Sequence, residues 1–238
     1  MSVFEAADFD HHETVAFFDH KPSGLKAISA LHSTALGVFL GLKAAVRHRL
    51  GADTTRGLTV AIQGVGKVGM KLARQLHEEG ARLIVSDVQR ELVDQAVAQF
   101  GAEAASGDDI VGVDCDVFSP NALGAVLDRN SIPRLQARVV AGAANNQLAR
   151  DADGAELKAR GILYAPDYVI NGGGVICVAG QIFDWSNAEI ERRVRAIPDR
   201  LVQIFNRADQ DGAPTNVIAD RMSEERIARA VETRHAAE

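Results

Sequence analysis

The stretch Ile62-Gln63-Gly64-Val65-Gly66-Lys67-Val68-Gly69 carries three glycines at the spacing GxGxxG. In a turn from a strand into a helix, that spacing gives each glycine its own role. The first permits the sharp turn, the second lets the backbone approach a pyrophosphate, and the third lets the helix pack closely on the sheet. The new helix then offers free N–H groups to the phosphates. The sequence therefore predicts a dinucleotide-binding turn, whose candidate contact residues are Gly64, Val65, Gly66, Lys67, Val68 and Gly69.

The sequence on both sides of this turn supports that interpretation. Residues 58–62 form a short apolar run rich in β-branched side chains, which is typical of a strand. After the turn, Val68, Leu72 and Leu76 recur every four residues, which predicts a helix that Gly80 ends. The alternative is a strand–turn–helix unit that binds no nucleotide. The strand and helix patterns around the turn argue against it.

An acid at the end of the next predicted strand bears on the choice of cofactor. Asp87 lies 18 positions after Gly69, close to the spacing at which a carboxylate accepts hydrogen bonds from a ribose 2′-OH. The same carboxylate repels a 2′-phosphate, although the nearby Arg90 would soften that repulsion. We therefore expect NAD rather than NADP.

From residue 58 onwards the predicted strands and helices alternate with short connections. This order predicts an α/β fold with a doubly wound parallel sheet of the Rossmann type, covered by helices on both faces. A helix over 38–50 precedes the sheet, and amphipathic helices over 187–208 and 215–236 form a helical C-terminal tail. The predicted strands are 59–63, 83–87, 117–119, 138–141 and 162–164, and the helices between them include 67–79 and 89–100.

Composition limits the classes of partner. A net charge of −6 over 238 residues does not favour nucleic acid. The N-terminus is acidic and lacks the basic and apolar regions of a signal peptide, and no apolar run is long enough to span a bilayer. The two cysteines, Cys115 and Cys177, have no metal-ligand spacing. We expect a cytoplasmic protein with no membrane or nucleic-acid partner.

Five strings follow one another along the chain, namely SGLKAI (23–28), GVGKVG (64–69), LHEEGA (76–81), AGAANNQL (141–148) and YAPDYVINGGGVI (164–176). Those around GAANNQL and YAPDYVINGGGVI are much more specific than the glycine turn alone. Together, and in this order, the five strings resemble the leucine/phenylalanine/valine dehydrogenase branch of the amino-acid dehydrogenases.

The resemblance implies an activity, a cofactor and further site residues. The family uses NAD to deaminate an L-amino acid oxidatively, here a branched-chain or aromatic one, giving a 2-oxo acid and ammonia, and its members are homo-oligomers. By resemblance, Asn171 would face the cleft where cofactor and substrate meet. Four residues would lie beside the nicotinamide ring, namely Gly142, Ala143, Ala144 and Asn145. Three would lie near the adenosine ribose and pyrophosphate, namely Ser119, Pro120 and Asn121.

The chain also departs from the family pattern. In the family, the nucleotide domain follows a substrate domain that carries two lysines and a cleft aspartate, and roughly 100 residues of that domain are missing after residue 37. We therefore interpret residues 1–37 as a remnant of the substrate and dimerisation domain, 38–185 as the NAD-binding domain and 186–238 as C-terminal helices. A strand over 24–31 would then lack its sheet partners. An in-frame deletion between two similar short strings would explain the join.

The missing lysines leave two functional hypotheses open, and no catalytic residue is assigned from the sequence. The first is an NAD-dependent amino-acid dehydrogenase in which a surviving lysine acts as the base, Lys26 being the first candidate. The second is a catalytically inactive NAD-binding remnant. His11 and His12 lie beside acidic residues, but their spacing is poor for a metal site, so no metal is expected. Trp185 is interpreted as a packing anchor for the tail helices.

Overall fold

A computed structural model describes residues 29–235 of the chain, and in it six parallel strands form one sheet in the order β3-β2-β1-β4-β5-β6. The predicted doubly wound parallel sheet is thus confirmed. Successive strands are added on one side of β1 up to β3 and on its other side from β4 onwards, so the strand order reverses between β1 and β4 and creates a crevice at the carboxyl ends of these strands. The strands are β1 (Thr59–Gln63), β2 (Arg82–Ser86), β3 (Glu103–Ala104), β4 (Val117–Pro120), β5 (Val139–Val140) and β6 (Leu163–Tyr164).

The described helices fall before, between and after the strands. They are α1 (Ala30–Leu50), α2 (Lys67–Glu79), α3 (Arg90–Phe100), α4 (Asp153–Ala159), α5 (Asp167–Ile170), α6 (Gly173–Ile182), α7 (Asn187–Arg195), α8 (Ile197–Asp211) and α9 (Thr215–His235).

Two apolar layers sandwich the sheet because successive strand side chains point to opposite faces. Val60 and Ile62 of β1 are fully buried against helices α1, α2, α3 and α8. Ala61 between them faces the other layer, which contains α4 and the short 3-10 helices Gly107–Gly112 and Ile132–Arg134. Helical segments therefore cover both faces, but the longer helices all lie on one of them.

The first helix starts earlier than the sequence pattern predicted. The expected helix over 38–50 begins instead at Ala30, because the Ser29 hydroxyl accepts a hydrogen bond from the His32 N–H (3.2 Å) and caps it. The helix runs without a break through the predicted domain boundary after residue 37. Residues 30 and 31 are thus helical, so the expected strand over 24–31 is wrong there. The rest of that strand lies outside the described residues, and the three-part division of the chain stays a prediction.

The tail also differs in detail from the expectation. One helix was predicted over 187–208, but the structure has two, α7 and α8, which meet at Ala196. Pro198 lies in the first turn of α8, where a residue without an N–H is tolerated, whereas inside a continuous helix it would break the hydrogen-bond ladder. Trp185 packs with Ile190 and Cys177 and lies under the Arg193 guanidinium, which agrees with its interpretation as an anchor.

Candidate nucleotide-binding site

The glycine turn packs tightly against the protein at two of its glycines and is open at the third. Gly64 has φ +91°, a conformation that favours glycine, and a Cβ there would come within 2.8 Å of Ala122. A Cβ on Gly69 would overlap the carbonyl oxygen of Gly64, so the helix packs directly on the turn. At Gly66, the N-cap of α2, no atom lies within 4 Å of a Cβ position. The turn is therefore crowded on the protein side and open at Gly66, where a ligand would approach.

Asp87 lies next to this turn. One of its carboxylate oxygens accepts a hydrogen bond from the Val65 N–H (2.8 Å) and the other accepts one from the Gln89 N–H (2.9 Å). The acid and the glycine turn come together because β1 and β2 are parallel neighbours in register, so their carboxyl ends meet at one edge. Each carboxylate oxygen has a second lone pair, which leaves Asp87 able to accept further hydrogen bonds.

Asn121 joins three of the loops at this edge. Its N–H donates to the Gln63 carbonyl oxygen (2.6 Å), and its side-chain Nδ2 donates to the backbone oxygen (2.9 Å) and the Oγ (3.0 Å) of Ser119. Its Oδ1 accepts a hydrogen bond from the Ala143 N–H (2.9 Å). The loop after β4 is thus fixed between the loops after β1 and β5.

The loop after β5 needs small residues where it passes β4. A Cβ on Gly142 would overlap the carbonyl oxygen of Pro120, and the Ala144 N–H donates to the same oxygen (3.0 Å). Beyond this contact Asn145 is exposed. Asn171, which follows α5, donates from Nδ2 to Asn145 Oδ1 (2.7 Å) and to the Ala143 carbonyl oxygen (3.2 Å). Thus two accessible amide side chains, 26 residues apart in the sequence, contact each other beside the loop after β5.

Two residues that the sequence analysis did not assign to the site hold this loop in place. The buried Asp167 carboxylate accepts hydrogen bonds from the Tyr164 hydroxyl (2.6 Å) and the Asn146 N–H (2.8 Å). Burial, together with the nearby Asp167 charge, raises the pKa of Tyr164 far above its usual range, so the hydroxyl remains a donor. The fully buried Gln147 donates from Nε2 to the Gly142 (2.9 Å) and Ala144 (3.0 Å) carbonyl oxygens.

One feature of the sequence points to these two residues. Both lie inside the strings 141–148 and 164–176 that carry the family resemblance, but nothing in the local pattern marks a loop acid or a loop amide as buried. The role of Asp167 depends on a contact with Asn146, 21 residues away, whereas Gln147 forms its hydrogen bonds within its own loop.

The four lysines of the described residues lie away from the two amides. Lys43 is half-buried and forms an ion pair with Glu79. Lys67 and Lys71 lie on the surface of α2, and Lys158 is exposed on α4. Within residues 29–235, no lysine forms a hydrogen bond with Asn145 or Asn171. Lys21, Lys26 and the His11–His12 pair lie outside the described residues, and the described part contains no cluster of metal-ligating side chains.

The strand order, the glycine turn after β1 and the acid after β2 place the chain in the Rossmann fold class. Comparison with protein families narrows this class. The model of the glutamate/leucine/phenylalanine/valine dehydrogenase family matches residues 29–101 and 85–234, and the chain belongs to that family.

Curated relatives and solved structures agree with this assignment. The leucine dehydrogenase of Geobacillus stearothermophilus is 48% identical over 195 residues, which are 82% of this chain and 53% of that enzyme. The leucine dehydrogenase of Thermoactinomyces intermedius is 44% identical over 95% of this chain and 62% of its own length. The chain thus spans little more than half the length of these relatives.

Two solved structures extend the comparison. The crystal structure of L-tryptophan dehydrogenase from Nostoc punctiforme superposes with a TM-score of 0.84 at 41% identity, covering 87% of this chain and 63% of the other. A hetero-hexameric glutamate dehydrogenase from Thermus thermophilus superposes with a TM-score of 0.66 at 26% identity, covering 85% and 53% of the two chains. Within residues 29–235, every helix is too short or too polar to traverse a bilayer.

Proposed function

We propose that this chain binds NAD at the carboxyl edge of β1, β2, β4 and β5 and serves the oxidative deamination of a branched-chain or aromatic L-amino acid. The observation that carries the proposal is the continuous set of hydrogen bonds that connects Asp87 to Val65, Asn121 to Ala143, and Asn145 to Asn171. Relatives named as leucine, valine and tryptophan dehydrogenases support the reaction class.

The residues present fit the dinucleotide at each of its parts. Gly66 leaves open space in front of the N-terminus of α2, a 13-residue helix whose first N–H groups suit a pyrophosphate. Asp87 would accept a hydrogen bond from the adenosine ribose 2′-OH, and its charge would exclude a 2′-phosphate. Ser119, Pro120 and Asn121 would line the crevice beside the ribose and pyrophosphate.

The other half of the edge suits the nicotinamide. The segment from Gly142 to Ala144 carries no large side chain, so a flat ring can lie against its backbone. The amides of Asn145 and Asn171 would hydrogen-bond the carboxamide and fix which ring face is presented. When bound, NAD would supply the hydride acceptor of the reaction. Asp167 and Gln147 would act as positioning residues that keep the loop in this shape.

The placement of the lysines is the reason to test a second function as well, namely NAD binding without turnover. Lys43 is engaged by Glu79, and neither Lys67, Lys71 nor Lys158 lies at the amide pair. If lysines supply the base near the amino-acid nitrogen and the cation for its carboxylate, they would have to come from outside residues 29–235, and Lys26 remains the first candidate in this chain. Without such a group the chain would bind NAD but not turn substrate over.

Titration calorimetry with NAD and NADP on the full chain tests the proposal. We expect NAD to bind more tightly than NADP. Asp87→Ala should weaken NAD binding at least about tenfold, which corresponds to about 1.4 kcal/mol. Asp87→Asn should narrow the preference for NAD, because the amide no longer repels a 2′-phosphate. Asp199→Asn, an exposed acid on α8, is the matched control and should change neither affinity.

The same samples then receive leucine, and NADH formation is followed by absorbance. Turnover would support the dehydrogenase and point to a base outside the described residues. Binding without turnover would support the NAD-binding chain alone. A folded chain that binds neither nucleotide would overturn both functions. Sedimentation of the same samples checks the expectation, drawn from the family, that the chain forms homo-oligomers.

A further inference from the structure

A groove of about 520 Å³ opens along the outer surface of α2, on a stripe of residues spaced three and four apart. Half-buried Leu31 and Met70 form its apolar part, and three cationic side chains complete it. Among residues 29–235, no acidic side chain lines it. We call it the α2 groove, and it is lined by Leu31, Lys67, Met70, Lys71 and Arg74.

The positive charge of the α2 groove is not neutralised within the described residues. Lys67, Lys71 and Arg74 are all exposed, and within residues 29–235 none of them forms an ion pair with a carboxylate. Arg74 does contact the Phe100 ring, 5.8 Å from its guanidinium carbon. Lys43 shows the contrast, because it is bound to Glu79. Three neighbouring cations beside an apolar floor suit a ligand that is both acidic and apolar.

This chain contains a segment with that chemistry. Residues 1–20 include five acids and neither lysine nor arginine. The same residues carry four phenylalanines, at positions 4, 9, 17 and 18. The acids are Glu5, Asp8, Asp10, Glu13 and Asp19.

The point of attachment brings this segment to the groove. The described chain begins at Ser29, the N-cap of α1, and Leu31 two residues later already lines the groove. Ser29 lies sixteen positions after Glu13, and a chain can extend about 3.3 Å per residue, so the acids can reach every cation of the groove. A short tether also gives the segment an effective concentration of about millimolar, so weak contacts suffice for docking.

We propose that the acidic segment 1–28 docks in the α2 groove of its own chain. Its carboxylates would pair with Lys67, Lys71 and Arg74, and a phenylalanine ring would cover Leu31 and Met70. The groove shares Lys67 with the candidate nucleotide site, but the docking does not require a bound nucleotide, since it depends on the charge and shape of the outer face of α2 and on where the chain enters α1.

Zero-length carbodiimide cross-linking of the full chain, read by mass spectrometry, tests the docking. We expect amide cross-links from the acids of residues 5–13 to Lys67 or Lys71 at low ionic strength. Their yield should fall at least about fivefold in 0.5 M salt, where exposed charges are screened over a few Å. The Lys43–Glu79 ion pair is an internal positive control. Formation of that control link without any link to Lys67 or Lys71 would overturn the proposal.

A mixture of ¹⁵N-labelled and unlabelled chains identifies the occupant. Cross-linked peptides that are all labelled or all unlabelled would show docking within one chain, as proposed. Peptides of mixed mass would show that a second copy occupies the groove, which contradicts the proposal.

A spin label gives a measurement that does not require a lysine. The label is attached at Ser2→Cys, since Cys115 and Cys177 are buried and burial raises the pKa of the Cys115 thiol to about 12. We expect it to broaden the amide signals of Met70 and Lys71. Changing four acids to amides at 5, 8, 10 and 13 should restore those signals. Four matched changes at the exposed acids Glu78, Glu91, Glu103 and Asp199 should not. Equal signals in both variants would overturn the proposal.

Discussion

Gly66 and Gly69 lie three residues apart in the turn, and the structure separates their roles. A methyl group on Gly69 would overlap the Gly64 carbonyl oxygen, so we expect Gly69→Ala to lower the free energy of unfolding by about 2–4 kcal/mol. A methyl group on Gly66 meets no protein atom, and its φ of −67° suits any residue. Gly66→Ala should therefore change stability by less than about 1 kcal/mol, which urea unfolding of both variants would measure.

For Gly66→Ala, we expect the main effect on cofactor affinity rather than on stability. Gly66→Ala should fold like the parent chain yet weaken NAD binding at least about tenfold, because the methyl group fills the space that the pyrophosphate needs. Calorimetry on the folded variant measures this. Unchanged affinity would place the pyrophosphate elsewhere and count against the proposed site.

Glu79 predicts a pH dependence of stability. Burial raises the pKa of its carboxyl group, but hydrogen bonds from Lys43 and Thr55 outweigh burial, and the pKa lies below its usual value. A lowered folded-state pKa stabilises the protein above the unfolded value of about 4.3, and this contribution is lost as pH falls through the folded pKa. Glu79→Gln should cost about 1–3 kcal/mol at pH 7 and progressively less in acid below about pH 4.

Urea unfolding of the Glu79→Gln chain between pH 3 and pH 7 measures this dependence. The neighbouring exposed Glu78 provides the control, since Glu78→Gln should change stability by less than about 0.5 kcal/mol at any pH. A constant difference between parent and Glu79→Gln over the whole range would contradict the assignment to an ionised carboxylate.

At the scale of single residues, the sequence could indicate site residues that lie within one turn, but not those that the fold brings together from distant segments. Gly64, Gly66 and Gly69 follow from spacing because one turn contains all three. Asn171 could be suggested only by resemblance, since its partner Asn145 lies 26 residues away. The burial of Asp167 and its two hydrogen bonds depend on β6 and the loop after β5 meeting in space, which no local pattern encodes.

Helix α6 packs against α1 through a glycine, and this contact can be tested. A Cβ on Gly173 would overlap the Ser33 carbonyl oxygen on α1, so we expect Gly173→Ala to lower the free energy of unfolding by about 2–4 kcal/mol. Gly107 serves as the control, because a Cβ there meets nothing within 4 Å, and Gly107→Ala should be neutral or stabilise by up to about 1 kcal/mol. Equal urea midpoints for the two variants would contradict the close packing of α6 on α1.

At the scale of elements, type was predictable and boundaries were less so. The long periodic helix α2 and the buried strand β1 match their predicted bounds, because their patterns extend over their full length. Strand β3 has only two residues, too few to show a period, and was not predicted. The early start of α1 depends on the Ser29 cap. This cap was not predicted, because a strand was expected over 24–31.

At the scale of the whole molecule, NAD binding should raise the free energy of unfolding. If NAD binds only the folded chain, NAD at 100 times its dissociation constant should add about 2.7 kcal/mol to the free energy of unfolding. Urea unfolding with and without NAD measures this. Gly66→Ala at the same NAD concentration should gain much less. The absence of any shift in the parent chain would mean that the folded state does not bind NAD.

The packing of α1 has a consequence for how the protein is made. Gly37 and Gly41 of α1 lie against Ile197 and Leu201 of α8, which are synthesised about 160 residues later. At about 5–20 residues per second, roughly 10–30 seconds pass on the ribosome before α8, one of the partners of that helix, exists. During this interval the apolar stripe that includes Val38 and Leu42 has no α8 to cover it. A nascent chain arrested before residue 197 should therefore engage chaperones, and one extended past residue 235 should release them.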